Sequence, residues 1–495
     1  MQILIFSIIL FPWLVFIYFE KPTLAISQFL FLGTSFLLTI FLTLYLGLNQ
    51  NAISLNIFKL YGFFDFYLKY DALSGLLILT VSIIGFSIHQ FSIRHLHDDP
   101  NQPKFKKYLF LTLTSVILMI LSANLLWFII STILSSLFLN KLLSYYSNNT
   151  TLKHAIHQKF WINRIGDIFL IGAGIIIYFV FGTLNYEEVF TLLKDESLAN
   201  EKIIFIHLAS LFIVFFVITQ SALFPFHYWL PKTLDTPSPV SALIHAGIIN
   251  SGGYLIIRLN PLLNESPFSL ALLTIFATIT VFFASLVMIS QNNVKRSLVY
   301  STIAQMGFML IQCGLGAYAT ATVHIIGHAF YKSYAFLNSG ATSDFGRLQR
   351  YFPKPIIHQD THTSIFSTML IILFTISAIK LFYGNIFNNP GITVLYLVLA
   401  FSMGHLFLNS VYKKISLFFI ITIFTSYLIF TKLMTKFLGN IIESPITHGN
   451  FLNDFALLFC IVIFSIIYLF QTNITTISNS KLGKFFYVKT LKGNF

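Results

Sequence analysis

The chain has 495 residues, of which 56% are apolar and only 9% charged, with 57 phenylalanines among them. A soluble domain carries roughly 25% charged residues to cover its surface, so a soluble enzyme is excluded. The apolar half is enough for more than a dozen bilayer crossings at about 20 residues each. In such a chain the 30 basic residues against 17 acidic ones read as the positive-inside bias of a membrane protein rather than as a nucleic-acid surface.

In chain order, the apolar runs predict an all-α polytopic membrane protein with about fifteen transmembrane helices. They lie near 2–19, 24–48, 72–91, 108–121, 124–146, 162–181, 203–222, 239–259, 268–289, 297–314, 320–338, 364–382, 392–410, 415–433 and 451–470. The first run, Gln2 to Phe19, has no basic leader and no small-residue cleavage site, and reads as an anchor rather than a removable signal. Strands are not expected, because the runs are too long for barrel strands and lack their alternation. No gap is long enough for a separate soluble domain, so any extensive catalytic surface belongs to a partner.

Alternate gaps, with the C-terminal tail, hold 21 cations, and the opposite set holds seven. This asymmetry places the N-terminus in the periplasm and the C-terminus, with Lys481 to Lys492, in the cytoplasm. Lys141, Lys153, Lys159 and Arg164 are read here as the cations of one cytoplasmic gap.

A charge at the bilayer centre costs roughly 2.5–3.5 kcal/mol even on the lenient insertion scale, so intramembrane ionisable groups are functional candidates. The densest set is His324, His328 and Lys332, whose i, i+4, i+8 spacing puts all three on one helix face. Two imidazoles and an amine in a row suit a proton relay, since histidine titrates near neutral pH. Three polar contacts to neighbouring helices are the structural alternative.

Upstream, Phe224 to Pro231 and Thr236 to Gly247 carry prolines at a density that stops one helix and starts another. Such an interruption is tolerated only beside a protein-lined or watery cavity. His245 follows it inside the next span and is read as a proton-path residue. Arg164 and Asp167, three apart at a helix start, can pair either as part of that path or as a structural ion pair. Lys380, near one end of its span, either joins the path or snorkels to the interface. His89, His95, His97, Asp98 and Asp99 read as a solvated or partner-facing loop rather than a metal site. Cys313 and Cys460 lie far apart in apolar segments, which argues against a disulfide framework or structural zinc.

Three stretches, Phe224 to Gly247, Asn293 to Phe308 and His328 to Lys332, resemble the proton-antiporter membrane module. That module is shared by the largest antiporter-like subunit of respiratory complex I, multisubunit cation/proton antiporters and the membrane subunit of DAB-type inorganic carbon transporters. The details of His245 to Arg258, Gln312 to Gly316, Asp99 to Phe105 and Ser136 to Leu143 are most similar to the DabB-type carbon-transporter subunits. The chain is also short for the complex I subunit, which continues into a long lateral helix.

The resemblance implies N-terminal helices over 1–107, two inverted five-helix repeats over 108–259 and 268–410, and C-terminal helices with a basic tail over 411–495. It implies a proton path through His245, His324, His328 and Lys332, to which Arg164, Asp167, Lys295 and Lys380 are added as candidates. No cofactor is expected in this chain, and it is expected to be a transporter subunit rather than an enzyme. The implied partner is a cytoplasm-facing, zinc-containing DabA-type subunit resembling β-carbonic anhydrase, in a bacterial inner membrane, with protons and membrane lipid but no nucleic acid as further partners. An antiporter-like subunit of NADH:quinone oxidoreductase and a cation/proton antiporter subunit are the alternatives. The chain departs from the complex I pattern twice, with Thr132-Ile133-Leu134 in place of a glutamate motif and Gln220 in place of a lysine.

Overall fold

The computed structural model describes residues 25–58, 64–146, 150–195, 201–340, 390–408, 413–439, 441–442 and 451–472, with Leu373, Ser377 and Lys380. Helix α1 (Ala25–Asn49) leads into strands β1 (Ile53–Phe58) and β2 (Phe66–Tyr70). There follow α2 (Ala72–His95), α3 (Gln102–Leu121), α4 (Leu125–Leu143), α5 (Thr150–Phe181), the short α6 (Tyr186–Leu193) and α7 (Ile203–Gln220). After an irregular stretch come α8 (Ser238–Ala246), α9 (Ser251–Arg258), α10 (Asn260–Asn264), α11 (Pro267–Ile289), α12 (Val294–Gly314) and α13 (Tyr318–Leu337). The last described helices are α14 (Pro390–Leu408), α15 (Lys413–Phe437) and α16 (Phe451–Thr472).

Every predicted run except 2–19 and 364–382 coincides with one or more of these helices. Residues 2–19 lie outside the described residues, as does most of 364–382. Among the described residues, eight segments are long and apolar enough to cross a membrane. The lipid-facing side is visible on α5, where Ile168, Ile175 and Phe179 are exposed along one stripe while Leu170, Ala173 and Ile177 are buried on the other.

The expectation of no strands is corrected by the antiparallel β1–β2 hairpin, which pairs Ile53 with Tyr70 and Leu55 with Leu68. It forms between spans, where chain too short to cross a bilayer still alternates apolar and polar residues, and Leu55 and Leu68 turn inward. Lys69 on β2 pairs with Glu187 of α6 at 2.9 Å. Leu68 bridges to Ser122, and Asn124 to Asn185. The hairpin, the α3–α4 turn and the start of α6 therefore make one ordered layer at one end of the helices.

The chain forms two compact units. The first comprises residues 1–269, 324–337 and 437–443; the second comprises 270–323, 338–436 and 444–495. Within the second, α11 and α12 approach closely at Gly307, where a Cβ would lie 2.8 Å from the Ala277 carbonyl oxygen and from Val281 Cγ2. Because the backbone oxygen cannot swing aside, Gly307→Val is expected to push the two helices apart. Overpacking of this kind costs about 1–3 kcal/mol, read as a lower melting temperature in detergent. Wild-type melting of that variant would contradict this packing.

Candidate proton-transfer site

The predicted face of α13 is present in the first unit. His328 is 6% exposed and Lys332 0%, and the His324 and His328 rings lie 6.0 Å apart, centroid to centroid. Neither ring nitrogen of His328 has a hydrogen-bond partner among the described residues. The Lys332 ammonium sits 5.5 Å from the Tyr331 ring centroid.

Sequence predicts a break near the prolines, and α7 indeed ends at Gln220 before Ser238 restarts the helix with Pro239 in its first turn. A second break, not expected from the sequence, falls at Gly247, where α8 gives way to a 3-10 turn over Ile248–Asn250 before α9. Asn250 Nδ2 donates to the Ala246 carbonyl at 2.9 Å, so a side chain satisfies a backbone group that the interrupted ladder leaves free. His245 sits immediately before this break, 1% exposed. Its ring lies flat on Phe336 of α13 at 4.3 Å and 7°.

This stacking brings α8 and α13 together. His245 interacts electrostatically with Lys332, and His328 with His324, Lys332 and His245. Beside them is a cavity of about 30 Å³ lined by Gly247, Asn250, Ser251, Ile325 and Ala329 among others. That volume has room for a water molecule. Asn250 Oδ1 and Ser251 Oγ are buried there with no partner among the described residues. Four titratable groups, three of them buried, thus lie beside a polar niche at the helix break.

On α5, Arg164 and Asp167 pair as the spacing suggested, at 2.8 Å. The contact is off the hydrogen-bonding direction, so Asp167 Oδ2 remains unbonded among the described residues. Lys159 is a correction: it is no loop cation, because α5 begins at Thr150 and carries it into the interior, 2% exposed. Its Nζ donates to Asn140 Oδ1 at 2.9 Å and lies 5.8 Å from the Trp229 ring centroid. The signal for it in the sequence is its i, i+4, i+8 register with Asn163 and Asp167. Reading it required knowing that the helix starts twelve residues before the purely apolar run does.

His89 is likewise no loop residue; it is buried, with its ring 5.0 Å from Phe110, whereas His97 and Asp98 pair in the open at 2.9 Å. Lys295 and Lys380 belong to the second unit. Lys295 is half-buried in the first turn of α12, and Lys380 is exposed. Cys313 and Cys460 are buried free thiols.

A family model for the NADH:quinone oxidoreductase/Mrp antiporter transmembrane region matches residues 122–411, and one for the N-terminus of complex I chain 5 matches 63–106. The chain belongs to this antiporter-like family. Within it, the chain is similar to a probable inorganic carbon transporter subunit, DabB2, of Halothiobacillus neapolitanus, at 30% identity over 403 residues, covering 80% of this chain and 69% of that one. It is 34% identical over 289 residues to DabB1 of the same organism, covering 58% of this chain and about half, 52%, of that relative.

The fold is similar to that in the Mrp complex from Dietzia sp., with a TM-score of 0.66 at 18% identity, covering 97% of this chain and 57% of that one. The break at Gly247 and the polar face of α13 therefore lie in an antiporter-like, DabB-type membrane subunit, and the family match spans both of them.

Proposed function

We propose that this chain is the proton-conducting membrane subunit of an inorganic carbon transporter. In this reading, inward proton movement through His245, His324, His328 and Lys332 drives CO2 hydration on a DabA-type, β-carbonic-anhydrase-like zinc partner at the cytoplasmic face. Hydration of CO2 yields bicarbonate and a proton, and coupling to inward proton flow makes that step effectively one-way. The zinc belongs to the partner, and this chain contributes the path for protons. The observation that carries the reading is the stacking of His245 on Phe336 of α13 at a broken helix, within electrostatic reach of His328 and Lys332. Similarity to DabB subunits supplies the substrate class. The orientation follows the cation asymmetry: N-terminus in the periplasm, C-terminal tail in the cytoplasm of a bacterial inner membrane.

Because the sequence leaves only short gaps between its apolar runs, this chain expressed alone is expected not to restore growth in air to a strain lacking carbonic anhydrase. Co-expression with a β-carbonic-anhydrase-like partner is expected to restore it. Growth with this chain alone would show that the hydration chemistry is internal and would contradict the proposal.

The match of residues 63–106 to the complex I chain 5 N-terminus favours a second reading, an antiporter-like subunit of a redox-driven quinone oxidoreductase. Affinity purification of the intact complex separates the two. A zinc-containing partner supports the first, and quinone-reductase subunits support the second.

A further inference from the structure

Helix α5 carries Lys159, Asn163 and Asp167 in the same i, i+4, i+8 register in which α13 carries His324, His328 and Lys332. All three α5 residues are buried, so one stripe of the helix is polar while the opposite stripe faces lipid. The stripe continues onto α4, where Ser136 Oγ accepts from Asn163 Nδ2 at 2.9 Å and Asn140 Oδ1 accepts from Lys159. At its other end Gly166 brings α5 hard against α7, since a Cβ there would collide with Thr219 Oγ1. The residue after Thr219 is Gln220, which is buried and cannot titrate.

The surroundings of Lys159 distinguish it from a structural cation. Arg258, the other deeply buried cation of the first unit outside α13, is clasped by the Asp71 carboxylate. Lys159 instead has an amide oxygen and an indole face, and among the described residues no carboxylate lies within ion-pair distance of it. The charged groups in electrostatic reach are Arg164 and Asp167 on its own helix. The Trp229 indole N–H beside it is buried with no partner among the described residues. A permanent charge without a counter-ion is expensive at such a position, whereas an amine that can release its proton is not.

We propose that Lys159, Asn163 and Asp167 form a second proton-transfer stripe in the first unit, with Lys159 the amine that loads and unloads the proton. This rests on the proton-conducting function proposed above. In the transfer an N–H bond of the Lys159 ammonium breaks, its electron pair stays on nitrogen, and an O–H bond forms on the Asp167 carboxylate. Eight residues of helix separate the two by a rise of about 12 Å; Asn163 stands midway on the same face, and the transfer needs a water to bridge what the lysine side chain does not span. Arg164 restores Asp167 to its charged form after the proton moves on.

The test uses the full chain in its assembled complex, reconstituted in vesicles loaded with a pH-sensitive dye, with proton uptake driven by a potassium diffusion potential. Lys159→Met and Lys159→Arg are both expected to slow uptake at least tenfold at normal complex yield, because arginine keeps the charge but does not give up its proton. Asn140→Asp places a carboxylate against the amine, fixes it in the charged form and is expected to slow uptake similarly without lowering thermal stability. That third variant decides the matter if Lys159→Met fails to assemble. Wild-type flux in Lys159→Arg or in Asn140→Asp would overturn the inference. If wild type conducts, Lys332→Met does not, and the Lys159 and Asn140 variants conduct normally, then the inference fails while the proposed function stands. Absence of flux in wild type defeats both.

Discussion

Replacing Lys332 with methionine is expected to reduce inorganic carbon accumulation to background while leaving the amount of assembled complex unchanged. Methionine keeps the length and apolar stem of the side chain and removes only the titratable nitrogen, so packing at a position with 0% exposure is nearly conserved. His328→Leu makes the same change to the imidazole. Both nitrogens of that ring lack partners among the described residues, so leucine sacrifices no structural hydrogen bond there. A relay predicts normal yield with lost transport; a structural role predicts reduced yield with transport per complex preserved. Carbon uptake per unit of complex, measured for both variants, separates these outcomes. Full activity in both at normal yield would exclude the relay through α13.

Breaking the Asp71–Arg258 pair is expected to have the largest effect on stability. Asp71 caps α2, accepting from the Ser74 backbone N–H at 2.9 Å, and its carboxylate also takes both guanidinium ends of Arg258, with Nη2 at 3.1 Å from Oδ1. Arg258 Nε donates to the Tyr254 hydroxyl at 3.1 Å, and that hydroxyl donates to the Ile120 carbonyl at 2.6 Å. One network therefore ties the hairpin, α3 and the end of the broken helix.

Asp71→Ala strands a buried guanidinium, a loss of about 3–5 kcal/mol against a typical total stability of 5–15 kcal/mol. We expect little folded protein from it. The pH dependence has a definite sign. Burial pushes the Asp71 carboxyl up, but the Arg258 charge and its hydrogen bonds more than offset this and hold it at about 2. A depressed carboxylate stabilises above its unfolded value and loses that contribution as pH falls through the folded one, so wild type should lose stability between about pH 4 and 2. Melting curves across that window should show the loss in wild type. In any Asp71→Asn protein that folds, this component should be missing; an identical acid profile in that variant would rule out Asp71 as its source.

How much of this was legible in the sequence depended on whether the signal was local. The spans were, because 20-residue apolar runs have few alternatives in a bilayer. So was the α13 face, since three residues at four-residue spacing need only a helix to align. The hairpin was missed because its strands are five and six residues long and lie between stronger signals. Lys159 was missed for a related reason: a hydropathy window starts the span near residue 162, whereas the helix starts at Thr150. The pairing of Asp71 with Arg258, 187 residues apart, and the stacking of His245 on Phe336 depend on tertiary packing, to which a single sequence carries no pointer. The Gly247 break had a partial cue in the glycines at 247, 252 and 253, but glycine alone does not say which turn gives way.

Proton entry through this chain is expected to drive carbon accumulation, and vesicles holding the complete complex with its native partner test this most directly. Internal bicarbonate is measured after external CO2 is supplied under an imposed inward proton gradient, with and without a protonophore. Accumulation above equilibrium is expected only while the gradient stands, with none in Lys332→Met. Accumulation that persists when the protonophore has collapsed the gradient would contradict it.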